Sequence, residues 1–363
     1  MKKYILIALV VIVGGTLLIY PLIKDDEIVI NNLKESNAAS FTFKDNLATV
    51  GDEVVPLEIE INKGLKKIDL YYNDSLITSW NNPKGKVMYS FSPGMFGVGT
   101  RTLNLLATLD DGSTFVDNRM VRVLSDVIPQ RLTTKIVKTY PHNPTSFTQG
   151  LEFYNGVLYE GTGDPGNQGN TIVAQVDLNS GDIKQKMGLD AGFFGEGITI
   201  LNNTLYQLTW KNQKCYTYDI TQNLQLKGEF NYVGEGWGLC NDGTYLIMSD
   251  GSERITFRNP ETFEISHTLE VYNNQGPINY LNELEYIDGK IYANVWTTNA
   301  VIVIDPTNGK VLQEIDATNL VKEGQGTGEV LNGVAHNSAT GKTYMTGKNW
   351  NKLFEVQFVE PGL

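Results

Sequence analysis

Glu196 stands between Gly195 and Gly197, immediately before the apolar run ITIL, and Trp210 closes the next apolar run, LYQLT, fourteen residues on. Glycines on both sides let another backbone approach closely. A carboxylate held among aromatic side chains loses hydration, so its pKa rises toward neutrality. A group poised there can take a proton and return it. The same glutamate could instead accept backbone N–H bonds at the start of a strand. The choice depends on what the fold brings around it.

Other chemical signals are sparse. His142, His267 and His336 lie far apart without zinc-ligand spacing, and His336 reads as a satisfied core residue. There is no Ser/His/Asp set and no G-x-S-x-G elbow. The glycine-rich strings GEGWG (234–238) and GQGTG (324–328) do not open helices, which weakens a phosphate role. Asp250, in SDGS, suits a turn. Cys215 and Cys240 could form a disulfide or remain two buried thiols. No cofactor and no metal is implied. The formal net charge of −12 over 363 residues argues against a nucleic-acid footprint or an acidic-lipid surface.

The elements that would position Glu196 repeat along the chain. GLEF at 150, GITI at 197, GLCN at 238, ELEY at 283 and GVAH at 333 align, spaced by 47, 41, 45 and 50 residues. Each is followed by a second and a third strand-like segment. Four of the five have a fourth: IKQKMGL, LQLKGEF, ISHTLEV and VLQEIDA. Four strands repeated at this period predict a β-propeller blade. The fifth repeat runs out of chain, while KIVKTYP (135–141) has no nearby partner. Supplying the missing outer strand would close a five-bladed ring and remove an open edge.

Two segments precede the ring. Residues 4–23 are uncharged and apolar, long enough to span a bilayer as a helix. Lys2 and Lys3 before them predict export of the rest of the chain. Residues 1–26 thus read as a signal anchor, with a cleaved signal peptide as the alternative. The expected localisation is an exported, membrane-anchored protein that meets the membrane only through this segment. Residues 27–126 predict about seven short strands and an immunoglobulin-like β-sandwich, with Trp80 as a core anchor and no evident partner. Residues 126–131 form the linker to a propeller spanning 132–363. The whole chain is expected to be all-β apart from the N-terminal hydrophobic helix.

In a blade, the start of the first strand and the end of the second share one face. Those positions are Gln149, Glu196, Trp237, Asn282 and Asn332, and Gly163, Trp210, Asp250, Trp296 and Lys348. Three of the ring's four tryptophans fall among them, beside amides, a lysine and carboxylates. An aromatic pocket with a few convergent polar groups is the usual form of a ligand site. Packing of the tryptophans between blades is the structural alternative.

The strings SFTQGL, FGEGIT, LTW, EGWGL, NELEY, ANVW, VLNGVA and TGKNW occur in order through all five repeats. In these the chain resembles the plant-type glutaminyl-peptide cyclotransferases and their bacterial relatives, over about 135–360. The resemblance implies a five-bladed propeller enzyme that cyclises the N-terminal glutamine of peptides or proteins to pyroglutamate and releases ammonia. It implies Glu196 as the proton-transfer residue, with Phe147, Gln149, Phe194, Trp210, Trp237, Asn282, Trp296 and Lys348 around the substrate. Two readings from other classes stay open on the residues alone. One is a non-catalytic peptide- or glycan-binding propeller on a membrane stalk. The other is a metal-dependent propeller hydrolase using Asn282, Asn332, Glu196 and Asp250.

Overall fold

The computed structural model describes residues 11–13, 16–18 and 38–362. The described chain is all-β, with one short α-helix, Thr318–Gly324. It packs as two compact units. One comprises 59–87, 104–117 and the described residues up to 41; the other comprises 42–58, 88–103 and 118–362.

In the first unit, Lys67–Tyr72 and Ser75–Asn81 pair antiparallel, and Ala39–Phe41 pairs with residues 59–61. Trp80, expected in a core, is half-buried on a strand with no buried position. The transmembrane helix expected over 4–23 is not what the described part of that segment forms. Val11–Val13 and Thr16–Leu18 make a short antiparallel pair, in keeping with the strand preference of β-branched Val, Ile and Thr. The rest of 4–23 lies outside the described residues. No helix among the described residues is long and apolar enough to cross a membrane.

The second unit contains the repeats. Residues 148–188, 195–231 and 239–270 are separate four-stranded antiparallel sheets, and 281–316 is a fourth run of the same kind. Their first hairpins turn where the sequence supplies residues that tolerate a left-handed backbone: Asn155 with Gly156, Asn202 with Asn203, and Asp288 with Gly289 all have positive φ. The fifth run, Leu331–Asn337, Lys342–Gly347 and Lys352–Val359, takes its outer strand from far upstream. Gln130–Pro141 pairs antiparallel with it, from Thr133↔Val359 to Pro141↔Lys352. The same strand also pairs parallel with Val311–Asp316, Gln130 opposite Gln313, which joins the fourth and fifth runs into one eight-stranded sheet.

The first, or inner, strand of each run is mostly buried. Gly195–Leu201 is buried at every position, whereas the outer strand Gln225–Asn231 is buried at none. The apolar cores explain why. Five clusters fill the spaces between successive runs, and the fifth joins the last run to the first through Leu353, Tyr344, Leu151 and Leu158. Each inner strand is therefore covered on both faces. Cys215 and Cys240 fall in two different clusters and are free, buried thiols.

Neighbouring inner strands come so close that side chains are excluded at set points. A Cβ on Gly197 would lie 2.4 Å from the Leu239 nitrogen, and one on Gly238 would lie 1.9 Å from the Asn282 carbonyl oxygen. These glycines follow Glu196 and Trp237, so the second glycine of the G-E-G and G-W-G strings is required by strand packing. Inner-strand N–H groups without a ladder partner must be satisfied otherwise. Buried carboxylates do this: Leu151 N and Val334 N donate to Glu283 at 3.3 and 2.9 Å, Ile200 N to Glu152 at 2.9 Å, and His336 N to Glu285 at 2.7 Å.

Candidate active site

Four of the five inner strands carry a register shift at the same place. The ladder slips between Thr148 and Gly150, Gly195 and Ile198, Leu281 and Leu284, and Leu331 and Val334. The displaced residues include Gln149, Glu196, Asn282 and Asn332. A bulge bends the strand and re-aims the side chain. In these four runs it lifts polar residues out of the ladder at one end of the inner strand, Glu283 with Asn282 in the fourth.

Those ends and the ends of the second strands enclose a cavity of 270 Å³. Phe147, Gln149, Phe194, Glu196, Trp210, Trp237, Asn282, Trp296 and Lys348 line it, with Glu329 as a tenth wall residue. All nine residues singled out from the sequence thus meet in one place. Phe147, Phe194 and Trp210 form a chain of edge-on contacts with centroids 5.9 and 5.8 Å apart. Trp237 meets Trp296 edge-on at 5.6 Å, and exposed Tyr280 backs Trp296 at 6.0 Å. The volume suits one amino-acid residue better than a large ligand.

Glu196 is 5% exposed, and its carboxylate has no hydrogen-bond donor among the described residues. Burial pushes its carboxyl well above the usual range; the Lys348 charge opposes this and the Glu235 charge adds to it. Lys348 is equally buried. Burial lowers its ammonium below the usual lysine value, with Glu196 and Glu329 partly compensating. Its Nζ lies 4.8 Å from the centre of the Phe147 ring. Two opposite charges share a poorly hydrated pocket, so each sits nearer to its neutral form than in water.

The amides are arranged by their partners. Asn332 Nδ2 donates to the Thr148 carbonyl at 3.0 Å and to Gln149 Oε1 at 3.1 Å. This occupies the carbonyl end of Gln149 and leaves its NH₂ as the donor available to the cavity. Asn282 Oδ1 is buried without a partner; a buried acceptor in that state has its binding energy in reserve for a donor brought by a ligand.

Three of the ten mouth positions lie off the cavity wall. Asn332 stands behind Gln149. Gly163 leaves room for Phe194, whose ring would be 2.4 Å from a Cβ there. Asp250 takes turn duty, accepting from Ser252 N at 3.0 Å and pairing with Arg254 at 3.4 Å. The glycines of GQGTG serve packing as well: Gly324 and Gly328 lie against the fully buried Trp350. His142 is buried in an ion pair, its Nε2 3.0 Å from Glu160 Oε1, and His336 is half-buried beside Thr343. No cluster of three His, Cys, Asp or Glu with metal-binding geometry exists among the described residues.

Two acids were not singled out from the sequence. Glu329 precedes the fifth inner strand, and only its place at the rim associates it with the site. Glu235 sits two residues before Trp237 inside GEGWG, which looked like a mere glycine loop. The signal was the i, i+2 spacing, which puts both side chains on one side of an extended segment.

The glutamine cyclotransferase family pattern matches residues 113–358. The glutaminyl-peptide cyclotransferase of Arabidopsis thaliana is 35% identical over 228 residues, which are 61% of this chain and 70% of that protein. The crystal structure of Myxococcus xanthus glutaminyl cyclase superposes with a TM-score of 0.60 at 36% identity, over 64% of this chain and 98% of that one.

Proposed function

The chain belongs to the glutamine cyclotransferase family and is an enzyme of that type, and from that premise we propose that Glu196 carries the protons of the cyclisation inside the aromatic pocket. The family reaction closes the N-terminal glutamine of a peptide or protein on itself. The α-amine attacks the side-chain carboxamide carbon, a C–N bond forms, the bond to the amide nitrogen breaks, and pyroglutamate and ammonia result.

Two proton problems must be solved. The substrate amine arrives largely as ammonium and must lose a proton to attack. The departing nitrogen must gain one, because an amide anion is a poor leaving group. One carboxylate of raised pKa between the two nitrogens performs both transfers in sequence. The tetrahedral intermediate carries an oxyanion, which needs donors fixed in advance. The Gln149 NH₂ and the Lys348 ammonium are the donors the pocket offers, and Asn282 Oδ1 is the acceptor for a substrate N–H. Trp210, Trp237 and Trp296 hold the glutaminyl side chain folded toward its own amine, and such positioning supplies much of the acceleration of an intramolecular reaction. Their faces attract the ammonium before deprotonation.

The observation that carries this reading is the buried, hydrogen-bond-free Glu196 carboxylate, facing Lys348 across an aromatic cavity the size of one residue. The scaffold is read as a five-bladed propeller closed by Gln130–Pro141, supported by the circuit of five inter-run cores. The preceding strands are read as an immunoglobulin-like sandwich over 27–126, and the N-terminal segment as a membrane anchor of an exported protein. The test is incubation of the protein with a Gln-initiated peptide and with its Glu- and Asn-initiated counterparts, followed by mass spectrometry. Loss of one ammonia from the Gln peptide alone is expected. No loss from any peptide, with the protein folded, would overturn the assignment.

A further inference from the structure

Two of the tryptophans that line the cavity with Glu196 come from different runs. Trp210 ends the second strand of the second run, and Trp237 leads into the inner strand of the third. Both indole N–H groups point at one atom. Trp210 Nε1 donates to Glu235 Oε2 at 2.7 Å, and Trp237 Nε1 donates to the same oxygen at 3.0 Å. The segment bearing Glu235 is itself tied to the wall, since Gly236 N donates to the Trp210 carbonyl at 3.1 Å. The other carboxylate oxygen faces Lys211, whose Nζ is 3.7 Å away and also lies 3.9 Å from the centre of the Trp210 ring.

We infer that Glu235 is a positioning residue for the cyclisation, a single carboxylate that clamps the Trp210 and Trp237 indoles at a fixed separation around the glutaminyl side chain. The inference rests on the pocket's being the cyclisation site. Charge-assisted hydrogen bonds are stronger than neutral ones, and one oxygen shared by two donors couples the two rings, so neither can rotate without loosening the other. Burial alone would raise the Glu235 carboxyl, but the Trp237 and Trp210 hydrogen bonds and Lys211 outweigh it and hold it below the usual range. It therefore remains an anion, and as such it has a second effect: it opposes ionisation of Glu196. The charged or titratable groups facing Glu196 are Lys348, Glu235 and Tyr232. Those facing Glu235 are Lys211 and Glu196.

The experiment uses the full chain with E235Q and E235A. An amide oxygen still accepts from the indoles but carries no charge; alanine removes both functions. Near-ultraviolet circular dichroism and acrylamide quenching report the tryptophans without substrate, and kcat and KM for a Gln-initiated peptide are followed against pH. E235A is expected to broaden the tryptophan spectrum, quench more readily and raise KM by about 10-fold or more, with a smaller change in kcat. E235Q is expected to keep the wild-type spectrum and restore KM to within about 3-fold. Its acid limb of kcat/KM should move to lower pH, because removing an anion beside Glu196 lowers the pKa of that carboxyl. A purely structural role would leave that limb where it was. The inference is overturned if E235A matches wild type in both spectrum and KM, or if E235Q is as impaired as E235A with an unmoved limb. If the wild-type protein proves unable to cyclise any Gln peptide, the reading of the site fails, and the spectra of E235A and E235Q alone decide the clamp.

Discussion

Glu196→Gln separates the three duties a buried glutamate at a strand start can have. Glutamine has the same size and accepts hydrogen bonds, but it cannot shuttle a proton. If Glu196 is the general base and then the general acid, kcat should fall by at least ~10²-fold, the lower end for such a group. That corresponds to about 2.7 kcal/mol of barrier. KM should change little, since the aromatic walls, Gln149 and Asn282 are untouched. Stability should move the other way. The folded carboxyl has a raised pKa, so its contribution is full below the unfolded value and is lost as pH rises through the folded one. Removing it should leave Tm unchanged at acid pH and raise it at alkaline pH. Lys348 loses the charge that supports its protonation and its pKa falls further. Steady-state kinetics and thermal melts at about pH 5 and about pH 8.5 measure all of this. A rise in KM with kcat preserved would make Glu196 a counter-ion for the substrate ammonium. A drop in Tm at every pH with turnover intact would make it a brace for the strand. A folded variant cyclising at near wild-type rate refutes proton transfer through Glu196.

Other outcomes concern the surroundings of the site. Burial pushes Glu152 up to about 8, and Glu283 and Glu285 are raised by burial and by the charges of neighbouring carboxylates. Stability from Glu152 is therefore lost as pH climbs from about 4.5 to about 8. Glu152→Gln should raise Tm at about pH 8 and hardly alter it at about pH 5; equal shifts at both would refute this account. A fragment beginning at residue 128 keeps the closing strand, and one beginning at 143 lacks it. Buried Leu132 and Tyr140, at about 1.5–3 kcal/mol each, and part-buried Ile136 would go with that strand, as would the Tyr140–Glu355 hydrogen bond. That is a large share of a typical domain's stability, so the shorter fragment should melt far lower or not fold, and equal melting would break the closure argument. Prolonged chelation with subsequent dialysis should leave turnover intact; loss of activity restored by added zinc would contradict the proposed mechanism.

The sequence by itself determined the repeat, because each run is built from hairpins whose hydrogen bonds and turn residues are local. Asn155 with Gly156 or Asp288 with Gly289 can be read as turns without knowing what lies across the ring. The same locality made the mouth positions legible, since the start of a first strand and the end of a second are neighbours in any such run, and the family strings identified nine cavity residues among them and beside them. What joins one run to the next was not legible. The bulges at Gln149, Glu196, Asn282 and Asn332 belong to strands packed against neighbouring runs and left no mark in the local pattern. The second pairing of Gln130–Pro141, parallel to Val311–Asp316, depends on where the fourth and fifth runs meet. Glu235 resembled loop filler until Trp210, twenty-five residues earlier, folded back to share its oxygen. The strength of the desolvation that moves Glu196 and Lys348 was likewise decided only by the tertiary structure. A pKa depends on every group and every water displaced around a carboxyl, and most of those groups come from other runs of the chain.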